Sequence, residues 1–174
     1  IGIIATAFVN EIHRRDFVVT WGMVARVPLF AALDAGSISE VMKIMRTRMV
    51  PPGTVLAAKG DEAEGMYFIA DGEIEIGLRR RTITLGPGDF FGEVALLKKV
   101  QRVGTVRAIT RANLMMIDSA DFETLLARDS DLRERIHAVA EERLADWIDA
   151  TGDVSVEEMA MAEEAPRPAG DPVA

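Results

Sequence analysis

The middle of the chain alternates short runs of β-forming residues with turn residues. The runs cover residues 54–56, 66–69, 73–76, 82–85, 105–109 and 112–117. Glycine and proline clusters at residues 51–53, 59–61, 71–72 and 86–89 separate them. Many short strands with regular turns favour a sandwich or a barrel. Residues 92–97 are the exception, since their pattern predicts a short helix between strands.

Segments with apolar residues at helical spacing lie on both sides of this region. Before it, apolar positions recur from Phe8 to Val27, and Pro28 should end that helix because the residue before proline avoids the helical conformation. Residues 29–33 form an apolar turn, and Ser37 or Ser39 is the predicted cap of the next helix. After it, one helix starts at Ser119 and a longer one runs on to about residue 149.

The first nine residues are uncharged and apolar, but a membrane-spanning helix needs roughly 20 such residues. Two interpretations remain open. The segment is an ordinary helix that docks on the core, or it is the cytoplasmic end of a membrane helix. Arg14 and Arg15 fit the positive-inside rule in the second case.

Composition excludes several classes of function. The 174 residues carry a net charge of −8, which disfavours binding to phosphate backbones, so no nucleic-acid partner is expected. There is no cysteine, and His13 and His137 are the only histidines, so neither a disulfide framework nor a multi-histidine metal site is possible. Residues 150–174 are acidic and contain proline, which predicts a disordered tail.

Candidate chemistry lies around the short helix. A glycine at its start, Gly92, lets a ligand approach the backbone, and the helix end favours an anion. Arg102 offers fixed donors that match phosphate oxygens, and Glu93 can accept from a hydroxyl. Alternatively, Glu93 only complements the helix dipole and pairs with Arg102. No nucleophile, base or metal ligand accompanies them, so the pattern indicates a binding site and not an enzyme.

The order of these motifs resembles the cyclic-nucleotide-binding domains over residues 28–145. The resemblance rests on Pro52-Gly53, Gly60-Asp61-Glu62, Asp71-Gly72-Glu73-Ile74, and residues 85–93 followed by Arg102. It implies a mostly β fold with flanking helices (α+β). The expected architecture is a jelly-roll-like β-roll of about eight strands, with N-terminal helices and a C-terminal lid helix.

The resemblance also implies a ligand and a site. The implied ligand is cyclic AMP, with cyclic GMP as the alternative, and the resemblance implies no cofactor and no metal. Glu93 takes the ribose 2′-hydroxyl, Arg102 takes the cyclic phosphate, and Arg143 on the last helix covers the purine. Arg143 could also be an exposed arginine on a solvated helix face. The implied ligand-binding residues are Phe91, Gly92, Glu93, Val94, Ala95, Arg102, Val103 and Arg143.

The resemblance is more specific to bacterial cyclic-nucleotide-gated potassium channels because of residues 4–8, 14–17 and 27–30. Residues 1–27 are then a helical linker after a truncated pore helix, 28–149 the binding domain, and 150–174 the tail. The implied partner is the pore domain of the same channel, in a homotetramer. The implied location is the cytoplasmic side of the inner (plasma) membrane.

Three departures from the family pattern are visible. Residues 98–101 lack a proline that often precedes the arginine, and Gly104 replaces a usual alanine, which could loosen the site. Val103 replaces a serine or threonine found in some members. A hydroxyl that could contact guanine is therefore missing, and we expect cyclic AMP to be favoured over cyclic GMP.

Other functions fit less well. A sensor domain of a cyclic-AMP-responsive transcription regulator needs a helix-turn-helix after the last helix, which residues 150–174 cannot supply. A kinase regulatory subunit would show a second copy of the motif. A β-roll interaction domain without ligand would not need Glu93 and Arg102. We also expect Arg102 to lie in an empty site, so that its loss leaves fold stability nearly unchanged.

Overall fold

The computed structural model describes residues 18–151, with side chains through Asp146. The described part begins with helix α1 (Trp21–Ala25), a 3₁₀ turn (Pro28–Phe30) and helix α2 (Ala35–Ile44). Eight strands follow: β1 (Arg46–Val50), β2 (Val55–Ala57), β3 (Gly65–Asp71), β4 (Ile74–Gly77), β5 (Thr82–Leu85), β6 (Phe90–Phe91), β7 (Thr105–Ala108) and β8 (Ala112–Asp118). The other helices are α3 (Glu93–Lys98), between β6 and β7, and α4 (Ser119–Arg128) and α5 (Ser130–Thr151), after β8.

The strands form two antiparallel four-stranded sheets, with the orders β1-β8-β3-β6 and β2-β7-β4-β5. Inward side chains from both sheets share one core, which includes Val50, Ile69, Ile74, Val106 and Leu114. The expected β-roll of eight strands with flanking helices is confirmed. Strands β1 and β6 were not among the predicted runs, because β1 alternates with arginines and β6 has only two residues.

Strand β3 is buried on both faces. Met66 and Phe68 pack in a second core beneath the helices, whereas Tyr67 and Ile69 point between the sheets. Successive side chains of a strand point to opposite faces, so a strand with one exposed face alternates polar and apolar residues. Where both faces are covered, both sets of side chains are apolar. This explains the uninterrupted apolar run in the sequence.

The helices correct two expectations. The described part of the helix before Pro28 starts at Trp21, with Thr20 as its N-cap, so Val19 precedes it. Helix α2 is capped by Asp34, whose side chain accepts from the Ser37 backbone N–H at 2.7 Å, and not by Ser37 or Ser39. An aspartate one residue before the helix has the better position to satisfy a free N–H.

Other helix boundaries agree with expectation. Val27 is extended and Pro28 begins the 3₁₀ turn, so the first helix does end before the proline. Helix α4 begins at Ser119, as predicted. Both interpretations of residues 1–9, and the tail after Thr151, concern residues outside the described range. Within residues 18–151, no helix has the length and the apolar character needed to cross a membrane.

Helix α5 reaches across the short helix α3. Val94 of α3 packs with Ala140 and Leu144 of α5, and Leu78, Ile83 and Val103 pack around this small cluster. The contact brings the last helix over one end of the β-roll, with Arg143 beside the cluster.

Two turn glycines give a test of this fold. Gly72 and Gly53 have φ values of 88° and 83°. A Cβ at Gly72 would lie 2.4 Å from the Arg111 carbonyl oxygen, whereas one at Gly53 meets nothing within 4 Å. Backbone strain alone should make Gly53→Ala cost about 1–2 kcal/mol of unfolding free energy. Gly72→Ala adds a collision with backbone and should cost about 3 kcal/mol or more. Urea denaturation measures both, and equal losses would contradict the packing described for Gly72.

Candidate functional site

The segment from β6 through α3 to Gly104, here called the cassette (residues 90–104), holds most of the predicted site. It turns at Gly92, the N-cap of α3, which has a φ of 104°. A Cβ there would lie 2.7 Å from Arg102 Nη1 and 2.8 Å from the Gly65 carbonyl oxygen. Only glycine allows the backbone to approach the arginine this closely.

Glu93 is completely buried at the first position of α3. Its Oε1 accepts a hydrogen bond from Arg143 Nη1 at 2.6 Å, while its Oε2 has no hydrogen-bond partner among the described residues. Burial raises the pKa of the Glu93 carboxyl, and the positive charge of Arg143 opposes that rise. One carboxylate oxygen is therefore free to accept from a ligand.

Arg102 is also buried, with 6% of its surface exposed. Its Nη2 donates to the Gly65 carbonyl oxygen at 2.8 Å, and its Nε has no partner among the described residues. Burial lowers the pKa of Arg102, but a guanidinium stays protonated in proteins. The expectation that loss of Arg102 leaves fold stability nearly unchanged loses its premise, because the side chain is buried and its removal would leave the Gly65 carbonyl without this donor.

The Arg102 backbone is fixed to the loop between β2 and β3. Its N–H donates to the Asp61 carbonyl oxygen at 2.8 Å, and its own carbonyl accepts from the Gly60 N–H at 2.8 Å. Asp61 Oδ2 in turn accepts from the Ala58 N–H, which holds this turn in shape. The Gly60-Asp61 motif thus positions the arginine from a distance of about forty residues along the chain, a role that its sequence alone did not reveal.

Arg143 reaches the cassette from α5. Besides the ion pair with Glu93, its Nη1 donates to the Phe90 carbonyl oxygen at 2.8 Å, and its guanidinium carbon lies 4.5 Å from the centre of the Phe90 ring. Its side chain is 23% exposed. This position does not match the interpretation of Arg143 as an exposed arginine on a solvated helix face.

Two cavities near the site share Ile76 in their lining. The inner one, about 30 Å³, is lined by Ile76, Phe91, Gly92, Val94, Ala95, Arg102, Val103, Gly104 and Val106. The outer one, about 350 Å³, is lined by Ile76, Arg81, Thr82, Ile83, Leu85, Arg143 and Asp146. The inner cavity has room for about one or two water molecules. As it stands, the inner cavity is too small for a nucleotide.

Helix α5 contacts the cassette by apolar and by charged groups. The apolar cluster of Val94, Ala140 and Leu144 joins α3 to α5, and an ion pair joins the nearly buried Lys98 of α3 to the exposed Glu141 of α5. The Glu93–Arg143 pair adds a buried polar contact. The lid position of α5 is thus held by groups that belong to the cassette itself.

The structure brings all eight predicted site residues to one place. Phe91, Gly92, Val94, Ala95, Arg102 and Val103 line the inner cavity, and Glu93 and Arg143 pair beside it. Prediction missed Gly65, whose carbonyl holds Arg102, and Phe90, which holds Arg143. It also missed Ile76, although the alternation of residues 73–76 places this side chain on the inner face of the sheet.

The departure at Gly104 has a packing reason. A Cβ there would lie 2.8 Å from the Gly77 carbonyl oxygen and 3.0 Å from Leu78 Cδ2. The glycine therefore lets the end of the cassette lie directly against β4. Its effect on affinity stays a prediction.

The arrangement can bind an anion with a neighbouring hydroxyl. Arg102 supplies positive charge, and the first N–H groups of α3 have no acceptor within their own helix. Glu93 Oε2 supplies an acceptor. Across residues 18–151, no cluster of three or more histidine, aspartate or glutamate side chains could hold a metal ion.

Comparison with known proteins gives a consistent result. The family model described as the cyclic nucleotide-binding domain matches residues 47–129. A Rhodopseudomonas palustris protein described as a potassium channel protein is 45% identical over 92% of this chain and 42% of its own length. A cyclic nucleotide-gated potassium channel of Rhizobium etli is 38% identical over 82% of this chain and 40% of its own length. The chain thus spans about two fifths of these relatives.

A solved structure shares the fold. The cAMP-bound PfPKA-R superimposes with a TM-score of 0.65 at 18% identity, over 87% of this chain and 49% of that one. At 18% identity this similarity supports a shared fold and nothing further.

The Glu93–Arg143 pair makes a testable contribution to stability. Arg143→Met leaves a buried carboxylate without its cation, which should lower the free energy of unfolding by about 3 kcal/mol near pH 7. Without Arg143 the pKa of Glu93 rises further, so the folded state is penalised most where Glu93 is ionised. The loss should therefore shrink as the pH falls through the raised pKa of Glu93, above the ordinary carboxyl value of 4.5, because the carboxyl is then protonated in the folded state of both proteins.

The matched control is Glu141→Gln. It removes the other ion pair between α3 and α5, whose acidic partner is 58% exposed, and should cost about 1 kcal/mol or less. Denaturant titrations of the three proteins at several pH values make the comparison. Equal and pH-independent losses in both variants would show that Arg143 does not stabilise the buried carboxylate.

Proposed function

From the chain's membership of the cyclic nucleotide-binding domain family, we propose that it binds a cyclic purine nucleotide and serves as the regulatory module of a ligand-gated potassium channel. The observation that carries the proposal is a buried Glu93 and a buried Arg102 beside one cavity, each with an unused hydrogen-bonding atom. Buried polar groups are normally satisfied, so two such atoms at one site call for a ligand.

The cyclic phosphate binds Arg102 and the N-terminal N–H groups of α3. Arg102 is already oriented by Gly65 and by the loop around Asp61, so little order has to be created on binding. The ribose 2′-hydroxyl donates to Glu93 Oε2. Phe91, Gly92, Val94 and Ala95 form the wall against which the phosphate and sugar rest.

The purine lies between the β-roll and α5, where the outer cavity is. Ile76 lines both cavities, so a nucleotide with its phosphate in the inner one extends its base past Ile76 toward Ile83 and Arg143. The inner cavity is too small for the sugar and phosphate, so the site widens on binding, and α5, whose Arg143 and Asp146 line the outer cavity, is repositioned over the base. Arg143 then exchanges its contact with Glu93 for the face of the purine.

This exchange gives a means of regulation. A ligand shifts an equilibrium only by its different affinities for the two states. The nucleotide competes with Arg143 for the Glu93 carboxylate and offers Arg143 a new partner, so occupancy of the site changes the position of α5. No group in the site makes or breaks covalent bonds, and the proposed role is that of a sensor and not an enzyme.

The channel context follows from the relatives. Both are described as potassium channel proteins and both are more than twice as long as the matched segment. We infer that the domain lies on the cytoplasmic side of the plasma membrane, in a homotetramer, and acts on the pore domain of the same protein.

Arg102→Ala tests the phosphate site. Loss of charge-assisted hydrogen bonds should raise the Kd for cyclic AMP by about tenfold to a hundredfold or more, since such bonds contribute roughly 1.5–3 kcal/mol. The control is Arg107→Ala, which removes an exposed arginine from β7. Calorimetry measures binding, and circular dichroism checks that each variant is folded at the temperature used.

An unchanged Kd for Arg102→Ala would refute the phosphate assignment. No heat from the wild-type domain with either cyclic nucleotide at high concentration would refute the proposed ligand. The remaining interpretation would then be a β-roll whose Glu93–Arg143 pair is only structural.

Val103→Thr tests the preference for cyclic AMP. The guanine 2-amino group needs an acceptor, and Val103 offers only methyl groups at the inner cavity. In a syn-type pose the unpaired donor costs roughly 1–3 kcal/mol, so the wild type should favour cyclic AMP, and Val103→Thr should improve cyclic GMP binding relative to cyclic AMP. Val100→Thr, which adds the same hydroxyl to the loop before Arg102, should leave the ratio unchanged. Competition binding measures the ratio, and equal affinities in the wild type would contradict this explanation.

A further inference from the structure

The turn between β4 and β5 carries three consecutive arginines, Arg79, Arg80 and Arg81, here called the arginine turn. All three are exposed. Among the described residues, none of their guanidinium groups forms an ion pair or a side-chain hydrogen bond. An acidic chain thus keeps a compact positive patch at one point, and the site described above does not use Arg79 or Arg80.

The end of α5 lies close to this patch. Arg81 of the arginine turn and Asp146 of α5 line the same outer cavity. Ile83, two residues after the turn, packs against the cluster that contains Leu144. The helix then continues for five residues to Thr151. The last described turn of side chains on α5 therefore lies at the same cavity as Arg81 of the arginine turn.

The sequence that follows has the complementary charge. Residues 152–174, here called the acidic segment, contain Asp153, Glu157, Glu158, Glu163, Glu164 and Asp171 against Arg167 alone. From Asp146 to Asp153 the chain extends about 7.5 Å in five helical residues and about 7 Å in two extended ones. The acidic residues after Asp153 are attached by a longer stretch of chain, so the four glutamates can reach the arginine turn.

We infer that the acidic segment docks on the arginine turn of its own chain, at the mouth of the outer cavity. Single exposed ion pairs are weak, but several charges act together here and the segment is tethered. A short tether gives an effective concentration on the order of millimolar, which favours this contact over a free acidic partner at cellular concentrations. Asp146 is the described acidic group that faces the turn, and it leaves most of the positive charge for the segment to neutralise.

A spin-label experiment on the 174-residue chain tests the contact. The chain has no cysteine, so Ala160→Cys gives a single attachment point within the acidic segment. A nitroxide there should cause loss of the amide signals of Arg79, Arg80 and Arg81 in a heteronuclear NMR spectrum at low salt. The signals should return near 1 M salt, where the Debye length is about 3 Å.

Charge variants test whether the signal loss depends on the arginine turn or only on the total charge of the protein. Replacing Arg79, Arg80 and Arg81 together by Gln should restore the signals of the turn. Replacing exposed arginines on other elements, Arg26, Arg48 and Arg133, removes the same charge and should leave the signal loss intact. Replacing Glu157, Glu158, Glu163 and Glu164 by Gln should also restore the signals.

Two results would overturn the inference. One is a labelled segment that broadens the arginine turn no more than it broadens Arg48 on β1. The other is an arginine turn that the label leaves unchanged but that binds phosphatidylserine vesicles, which would make it a surface for anionic lipid. Either result stands independently of nucleotide binding, because all samples are free of nucleotide.

Discussion

The buried carboxylate of Glu93 is the group on which the arrangement of the site depends. Glu93 is completely buried, and a buried charge persists only when opposite charge and hydrogen bonds surround it. Arg143 supplies the cation from the last helix, and Arg102 lies on the other side of the cassette. Helix α5 and the cassette thus meet at this one group.

The β-roll gives the pair a rigid support. Strand β3 packs on both faces, carries the Gly65 carbonyl that holds Arg102, and pairs with β6, which leads into the cassette. Tyr67 and Phe91 stack across that pairing with ring centres 4.9 Å apart. The first half of α5 is anchored in the core beneath the helices by Leu132 and Ile136, whereas its second half contacts the cassette through Ala140 and Leu144. The second half of α5 is thus the part beside the site with the smaller apolar contact.

Much of this was predictable from the residues. Turn glycines and alternation located six of the eight strands, and the order of Gly92, Glu93 and Arg102 located the site. The predicted cap of α2 is wrong, because Asp34, directly before the helix, is better placed than Ser37 or Ser39 to accept from a free N–H. The carbonyls of Gly65 and Phe90 could not be predicted, since backbone acceptors leave no trace in side-chain chemistry. The burial of Arg102 could not either, since it depends on strands distant in sequence.

The stacked pair at the cassette has a practical consequence for spectroscopy. Tyr67 is the only tyrosine in the chain, and its ring lies within 7° of parallel to that of Phe91. Near-ultraviolet circular dichroism of a tyrosine depends on the fixed asymmetry of its surroundings. A single buried phenol packed flat on the residue before Gly92 is therefore an intrinsic optical probe, built into the floor of the site, that needs no label and no substitution.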